Sequence, residues 1–199
     1  DTLILYPLII PCYNVKDMVS ECLDSIVAQT IGLEHLEIIL VDDASTDETV
    51  SVLKKYEEKY PDNIMLVLCE KNGRQGTARN IGLSYATGDF ISFVDSDDWI
   101  HPDMYKVLVD IMNKNECDVA QFRYMETKDK PEEMSRAIDN IDYRIVDYSC
   151  NRKENLLNSQ ILNESCTTKL YRKSLIDCAN LRYAEGVAYE EPMLTYPMK

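Results

Sequence analysis

The sequence lacks the features that mark several common classes of protein. It has only two histidines, and none of its seven cysteines lies at CxxC spacing from another, which argues against a zinc site. The apolar stretch from Leu3 to Ile10 is interrupted by Pro7 and is far shorter than the about 20 residues that span a bilayer. The chain does not open on a basic segment, so we expect no signal peptide.

Clusters of Lys and Arg are also missing, and the net charge is −14, from 21 basic and 35 acidic residues. Because binding to a phosphate backbone needs clustered positive charge, we expect no nucleic-acid partner. The acidity aids solubility in any case, and a bound divalent cation would offset part of it locally. The odd number of cysteines, several in apolar surroundings, predicts free buried thiols in a reducing compartment.

What the sequence does contain is an alternation of short apolar runs and amphipathic segments. Four runs predict buried strands, at Leu8–Cys12, Leu36–Asp42, Ile64–Cys69 and Asp89–Asp95. The intervening segments predict helices, at Val15–Gln29, Asp47–Tyr60 (with Asp47 as N-cap) and Gly76–Ala86. Crossovers of this length predict an α/β fold, in which a parallel sheet is covered on both faces.

The second half of the chain is less regular. It predicts a helix at His101–Asn115, a strand at Asp118–Met125, a polar surface segment at Glu126–Asp142 and a short helix at Tyr171–Ala179. At 199 residues, without an internal repeat or a linker-like segment, the chain suits one large domain.

Polar residues follow three of the predicted strands, at the edge where parallel sheets bind their ligands. They are Tyr13 and Asn14; Asp42 and Asp43; and Asp95, Ser96, Asp97 and Asp98. Three carboxylates within four positions repel one another, so a cation is expected there. Asp95 and Asp97 offer the hard oxygen ligands that suit Mg²⁺ or Mn²⁺. The alternative is that this cluster only caps the helix that follows.

Three further features of this edge suit a nucleotide. Asp42 could accept a hydrogen bond from a base or a ribose, or it could form a simple Asx-turn. Tyr13 offers a flat face for stacking, unless it is a core residue at a turn. Arg79, in the Gly-rich stretch "KNGRQGTARNIG", could form a forked contact with a diphosphate or pair with an acid. This stretch is neither a Walker loop nor a clean GxGxxG.

Four ordered segments, "LIIPCYN", "VDDASTD", "NGRQGTARNIGLSYATGDFISFVDSDDW" and "LRYAEGVAYEE", together resemble the family 2 glycosyltransferases. The resemblance is close from Leu8 to about His101 and looser from Thr167 to Met193. It implies an inverting enzyme of the GT-A fold, a Rossmann-like α/β/α sandwich with a mostly parallel central sheet. It further implies one catalytic domain over residues 1–199, with a nucleotide-sugar-binding half (about 1–100) and an acceptor half (about 101–199). We expect this domain to be truncated at its C-terminus, since members commonly continue with further helices, some of them membrane-associated.

The resemblance also assigns roles to single residues. Those assigned to the nucleotide are Pro11, Tyr13, Asn14, Asp42, Asp43, Gly76, Ala78, Arg79, Asp95 and Ser96. Asp97 is implied as the direct metal ligand of a DxD motif, with Asp95 meeting the ribose or the water shell of the metal. Asp98 and Trp99 are implied to border the donor sugar.

An inverting transfer also needs a base for the acceptor hydroxyl. The family usually supplies an Asp from a Glu-Asp pair, and the matching pair here is Glu190 and Glu191. Glu191 replaces the Asp, reaches one methylene further and has a similar intrinsic pKa. The alternative is that both residues only start a helix.

The resemblance thus implies a metal-dependent hexosyltransferase that uses Mn²⁺ or Mg²⁺. We expect it to move a sugar from a nucleotide-diphosphate donor, a UDP-sugar first of all, to a hydroxyl of a saccharide or lipid-linked acceptor. Synthesis of cell-surface polysaccharide or glycoconjugates, in the cytoplasm or peripherally at the inner face of the membrane, would fit. The alternative is a catalytically inactive nucleotide-sugar-binding module. A sugar-nucleotide pyrophosphorylase would need an early Gly-rich signature, and a receiver domain would be shorter.

Overall fold

One mixed sheet forms the centre of the protein. The computed structural model describes residues 5–123, 165–178 and 180–187. Its strands are β1 (Tyr6–Cys12), β2 (Leu36–Asp42), β3 (Ile64–Leu68), β4 (Phe90–Phe93), β5 (Val119–Gln121) and β6 (Lys169–Arg172). They lie in the order β3-β2-β1-β4-β6-β5. β3, β2, β1 and β4 are parallel, whereas β6 runs antiparallel to both of its neighbours.

Helices connect the strands and cover the sheet. They are α1 (Val19–Val27), α2 (Thr49–Lys59), α3 (Arg74–Tyr85), α4 (Met104–Asn115) and α5 (Lys173–Cys178), and a 3₁₀ turn (Leu33–His35) precedes β2. In α1, residues spaced three or four apart, such as Val19, Cys22 and Ile26, are buried and form one apolar face. In the described ranges, no helix is long and apolar enough to cross a bilayer.

The two faces of the sheet carry separate hydrophobic clusters. Leu8 and Ile10 of β1 point into the cluster that α1, α2 and α4 cover. Ile9, between them, points into the cluster that α3 and α5 cover. All three side chains are fully buried, because a strand alternates its side chains between two covered faces. The prediction of a sheet covered on both sides is confirmed, and its four predicted strands β1, β2, β3 and β4 are parallel as expected.

Helix α3 packs unusually close to β1, and Gly82 makes this possible. A Cβ atom at Gly82 would lie only 2.3 Å from Ile9 Cγ2. The contact packs the C-terminal part of α3 against β1, and the helix begins at the carboxyl edge of the sheet, where the candidate site lies.

The structure corrects several predicted boundaries. β6 was not predicted: Tyr171, assigned to a helix, lies in this strand, and the helix α5 begins only at Lys173. The strand combines polar and apolar residues, and its Lys169 is buried, so that no hydrophobic alternation marks it. The strand predicted at Asp118–Met125 is confirmed only for β5, while Ala179 and the predicted polar segment lie outside the described residues.

Helix starts were also predicted too early or too late. α1 and α4 begin later than expected, and α3 begins earlier, at Arg74. α2 begins at Thr49, and Asp47 still serves its start, since Asp47 Oδ1 accepts from the Thr49 amide at 2.9 Å. The cysteines in the described ranges form no disulfide, as the sequence predicts.

Candidate active site at the carboxyl edge of the sheet

The loops after β1 and β2 are tied together by Asn14. Its side-chain Oδ1 accepts from the backbone amides of Thr46 (2.7 Å) and Asp47 (3.3 Å). The backbone N–H of Asn14 donates to Ser45 Oγ at 3.0 Å. Asn14 has φ 53°, a left-handed conformation that Asn tolerates. The structure therefore shows Asn14 shaping the edge, with its side-chain oxygen already occupied.

Asp42, at the end of β2, is buried but only partly satisfied. Its side chain is 2% exposed, and Oδ2 accepts from the Ser45 amide at 3.0 Å. Oδ1 is also buried and has no hydrogen-bond donor among the described residues. A buried acceptor without a donor is costly, so Asp42 Oδ1 is suited to receive an N–H or O–H from a ligand.

In Asp43, the next residue, both carboxylate oxygens form hydrogen bonds inside the protein. Its two oxygens accept from the backbone amides of Gly73 and Arg74, both at 2.8 Å. These bonds hold the start of α3 against β2 and satisfy amides that a helix start leaves without partners. They also hold Arg74 at φ 69°, a conformation that usually requires glycine. Asp43 thus shapes the site from behind.

Tyr13 lies at the surface of the same edge. It is 46% exposed, although it directly follows the buried end of β1. The alternative of a core tyrosine is therefore wrong, and an aromatic face is available to a ligand. Pro11 is buried within β1 beside Val41 and supports this turn from below.

Asp95 is held by a buried cation. Arg79 Nη2 donates to Asp95 Oδ1 at 2.8 Å, and the side chains are 0% and 29% exposed. The sequence left two alternatives for Arg79, a forked contact with a diphosphate or a pair with an acid, and the structure shows the pair. Because Arg79 is fully buried, it acts on the site indirectly, by holding the Asp95 carboxylate.

Asp97 and Asp98 are exposed beside Asp95. Although Asp98 reaches solvent, partial desolvation of its carboxyl group and then the charges of Asp95 and Asp97 together raise its pKa to about 6. Crowded carboxylates of this kind fit a divalent cation, which would relieve their repulsion. Within the described ranges, no group of three or more His, Cys, Asp or Glu forms a closed metal site. A few oxygen ligands at an open edge suit Mg²⁺ or Mn²⁺ that completes its coordination with water and phosphate.

Three further residues predicted to meet the nucleotide are buried in the structure. Ser96 is 6% exposed. Gly76 is buried in α3, and Ala78, fully buried, belongs to the cluster beneath that helix. Glu190 and Glu191 lie outside the described residues.

Two residues that the sequence did not single out meet behind Asp95. Asn80, next to Arg79 in α3, forms two hydrogen bonds with the backbone of Tyr183. The ring of Tyr183 faces the Arg79 guanidinium, with 5.3 Å from Cζ to the ring centroid. Arg79 and Tyr183 are about a hundred residues apart, so neither periodicity nor spacing could have indicated this contact.

The fold and the arrangement of its edge define the class of protein. A mostly parallel sheet between helices, with acidic residues at its carboxyl edge, agrees with the GT-A fold. Residues 8–179 match the family described as Glycosyl transferase family 2. The chain belongs to this family.

Individual relatives agree with this assignment. The chain is 39% identical over 112 residues to the poly(ribitol-phosphate) beta-glucosyltransferase of Bacillus spizizenii, covering 56% of this chain and 18% of that enzyme. It is 29% identical over 192 residues to the poly(ribitol-phosphate) beta-N-acetylglucosaminyltransferase TarS of Staphylococcus aureus, covering 95% and 31%. The chain therefore spans less than a third of either relative.

Solved structures show the same fold. The crystal structure of S. aureus TarS 1–349 in complex with UDP-GlcNAc superposes with a TM-score of 0.79 at 28% identity, covering 96% of this chain and 52% of that chain. The mannosyltransferase PcManGT of Pyrobaculum calidifontis, in complex with GDP-Man and Mn²⁺, gives a TM-score of 0.67 at 20% identity, covering 94% and 49%. The predicted GT-A fold is confirmed.

Proposed function

We propose that this protein transfers a hexosyl-type sugar from a UDP-sugar to a hydroxyl group, with inversion, in the synthesis of a cell-surface polymer. Two similar proteins support the donor and the context. TarS was crystallised with UDP-GlcNAc, and both TarS and the B. spizizenii relative are named for sugar transfer to poly(ribitol-phosphate). A saccharide or lipid-linked acceptor is part of the proposal.

The observation that carries the nucleotide assignment is the buried oxygen of Asp42. Asp42 Oδ1 has no donor among the described residues, and it lies at the edge that also exposes the Tyr13 ring. A uracil placed on Tyr13 would offer its imide N–H to this oxygen, whereas cytosine presents an acceptor at the same ring position. Guanine also carries a ring N–H, so GDP belongs among the control nucleotides.

Asp95 and Asp97 would hold the divalent cation that the crowded carboxylates fit. When bound, such an ion supplies positive charge against the diphosphate that leaves during transfer. Arg79 donates to Asp95 Oδ1 at 2.8 Å from within the protein. The pair thereby fixes the direction in which Asp95 presents its charge.

Glu191 is the proposed base. In the transfer, the acceptor oxygen forms a bond to the anomeric carbon on the face opposite the diphosphate, and the bond from that carbon to the phosphate oxygen breaks. The proton of the acceptor hydroxyl passes to the Glu191 carboxylate, while the electron pair of the broken bond leaves with the diphosphate.

Calorimetric titration of UDP, with Mn²⁺ and then with EDTA, tests the donor half. We expect Mn²⁺-dependent binding that Asp97→Ala abolishes. Asp62→Ala is the matched control, because Asp62 is an exposed aspartate in the turn before β3, at the opposite edge of the sheet. Absence of UDP binding in the unaltered protein would refute the proposal, and binding of GDP alone would change the donor class.

Glu191→Gln tests catalysis separately from binding. An enzyme that uses this base should lose about 100-fold or more of its turnover with UDP affinity unchanged. If turnover persists, Glu191 is not the base. If the unaltered protein binds UDP-sugar but never turns it over with any acceptor, it is the nucleotide-sugar-binding module. The cytoplasmic or membrane-peripheral location and the division into donor and acceptor halves stay predictions.

A further inference from the structure

Tyr183 lies directly behind the carboxylate edge, although it belongs to a segment that is neither helix nor strand. It is 3% exposed and packs edge-on against Phe93 of β4, with 5.3 Å between ring centroids and 86° between ring planes. Phe93 is the last residue of the strand that leads to Asp95. Tyr183 is therefore fixed against the base of the acidic loop.

The ring also contacts Arg79. The guanidinium Cζ is 5.3 Å from the Tyr183 centroid, and Nη2 of the same guanidinium donates to Asp95 Oδ1 at 2.8 Å. A fully buried guanidinium has lost its hydration, so it depends on such contacts for its position. The aromatic face supplies electrostatic attraction and a flat support, both stronger in a desolvated site.

Asn80 fixes the backbone that carries the ring. Its Oδ1 accepts from the Tyr183 amide at 2.9 Å, and its Nδ2 donates to the Tyr183 carbonyl at 3.0 Å. Nδ2 also approaches Glu185 Oε1 at 3.2 Å. Because Asn80 and Arg79 are neighbours in α3, one helical turn holds both the ring and the cation that the ring supports.

We propose that Tyr183, held in place by Asn80, is a positioning residue that fixes Asp95 through the Arg79 guanidinium. Without the ring, the Arg79 guanidinium loses the cation–π contact that helps to hold it in place. Asp95 then loses its fixed orientation beside Asp97. This inference rests on the proposed function, since its consequence is a weaker metal-dependent component of nucleotide binding.

The test compares UDP affinity in Mn²⁺ and in EDTA for a set of variants. Tyr183→Leu should weaken UDP binding about tenfold in Mn²⁺ and less than about twofold in EDTA. Tyr183→Phe keeps the ring face and should bind within about twofold of the unaltered protein. A merely structural role of Tyr183 would lower both affinities together or neither.

Phe90→Leu is the matched control. Phe90 is also a buried aromatic residue of the β4 region with an arginine over its ring, at 4.9 Å from Arg172 Cζ. It lies at the opposite end of β4 from the acidic loop. We expect Phe90→Leu to lower stability without changing the ratio of the two UDP affinities.

Asn80→Ala provides a second route if Tyr183→Leu does not fold. Asn80 is half-buried, and its loss should weaken Mn²⁺-dependent binding several-fold, in the same direction as Tyr183→Leu. Unchanged Mn²⁺-dependent affinity in a folded Tyr183→Leu or Asn80→Ala protein would overturn the inference. Failure of the unaltered protein to bind UDP with Mn²⁺ would instead refute the proposed function, so the two failures are distinct.

Discussion

Asp42 and Asp43 are adjacent buried aspartates with different hydrogen-bond partners. Replacing Asp43 by Asn is expected to lower stability, whereas replacing Asp42 by Asn is expected to lower nucleotide affinity. Asp43 accepts from two backbone amides at 2.8 Å. An Asn at this position keeps one acceptor oxygen and turns its NH₂ group toward the other amide. We expect Asp43→Asn to lower the free energy of unfolding by about 2–3 kcal/mol, the range for a lost charge-assisted bond and an amide left without an acceptor.

For Asp42→Asn the expected loss is in binding. The amide oxygen can keep the bond from the Ser45 amide, now 3.0 Å long, and the other oxygen has no described donor to lose. Removal of a desolvated charge offsets the burial of an NH₂ group, so unfolding should change by less than about 1 kcal/mol. UDP affinity should fall about ten- to 150-fold, which corresponds to about 1.5–3 kcal/mol for a hydrogen bond to a charged group.

Two measurements on both variants separate these effects. Urea unfolding, followed by the fluorescence of Trp99, the single tryptophan, gives the stability. Calorimetry with UDP and Mn²⁺ gives the affinity. If Asp42→Asn binds UDP as tightly as the unaltered protein, Asp42 Oδ1 does not receive the base. If both variants lose the same stability, the two aspartates are equivalent structural caps and the reasoning fails.

Two further predictions concern stability. Asp98 has a pKa of about 6 in the folded protein against 3.8 ordinarily, so its ionisation lowers stability as pH rises between these values. In EDTA, Asp98→Asn should therefore raise the melting temperature, more at pH 7.5 than at pH 5, and an equal shift at both would contradict this. Gly82→Ala should destabilise by about 1–3 kcal/mol, because the new Cβ overlaps Ile9. Adding Ile9→Ala should cost less than the sum of the single changes, and strict additivity in urea unfolding would argue against the contact.

The parallel half of the fold could be predicted because local pattern and tertiary environment agree there. β2 was predicted with its observed bounds, since Leu36–Asp42 is an apolar run and both of its faces are buried. β6 could not be predicted in this way. Its position depends on pairing with β4, as in the bond from Ser92 Oγ to the Lys169 carbonyl, across 77 residues. Pairing over that distance leaves no local period in the sequence.

At the site, the sequence located the edge but not the partners of each side chain. It placed Asp42, Asp43 and Asp95 at strand ends along one edge of the sheet, and the structure bears out this placement. It could not tell that Asp43 caps a helix or that Arg79 is buried, because both facts depend on how α3 is rotated on the sheet. Gly82 faces Ile9 of β1 in that arrangement, and a glycine in a helical pattern does not by itself reveal which face of the helix packs on the sheet.

The different states of these carboxylates decide which of them can discriminate between ligands. Asp43 has two donors and Asp95 has a cation, whereas Asp42 keeps a buried oxygen without a described donor. A ligand that offers an N–H to Asp42 gains a charge-assisted hydrogen bond. A ligand that presents an acceptor places it against Asp42 Oδ1, and both acceptors then stay buried without a donor. Sites built to form a hydrogen bond reject a mismatched analogue more strongly than the bond alone is worth. CDP should therefore bind about 100-fold or more weakly than UDP in Mn²⁺. Equal affinity of the two nucleotides, measured by the same calorimetry, would show that the base is recognised elsewhere.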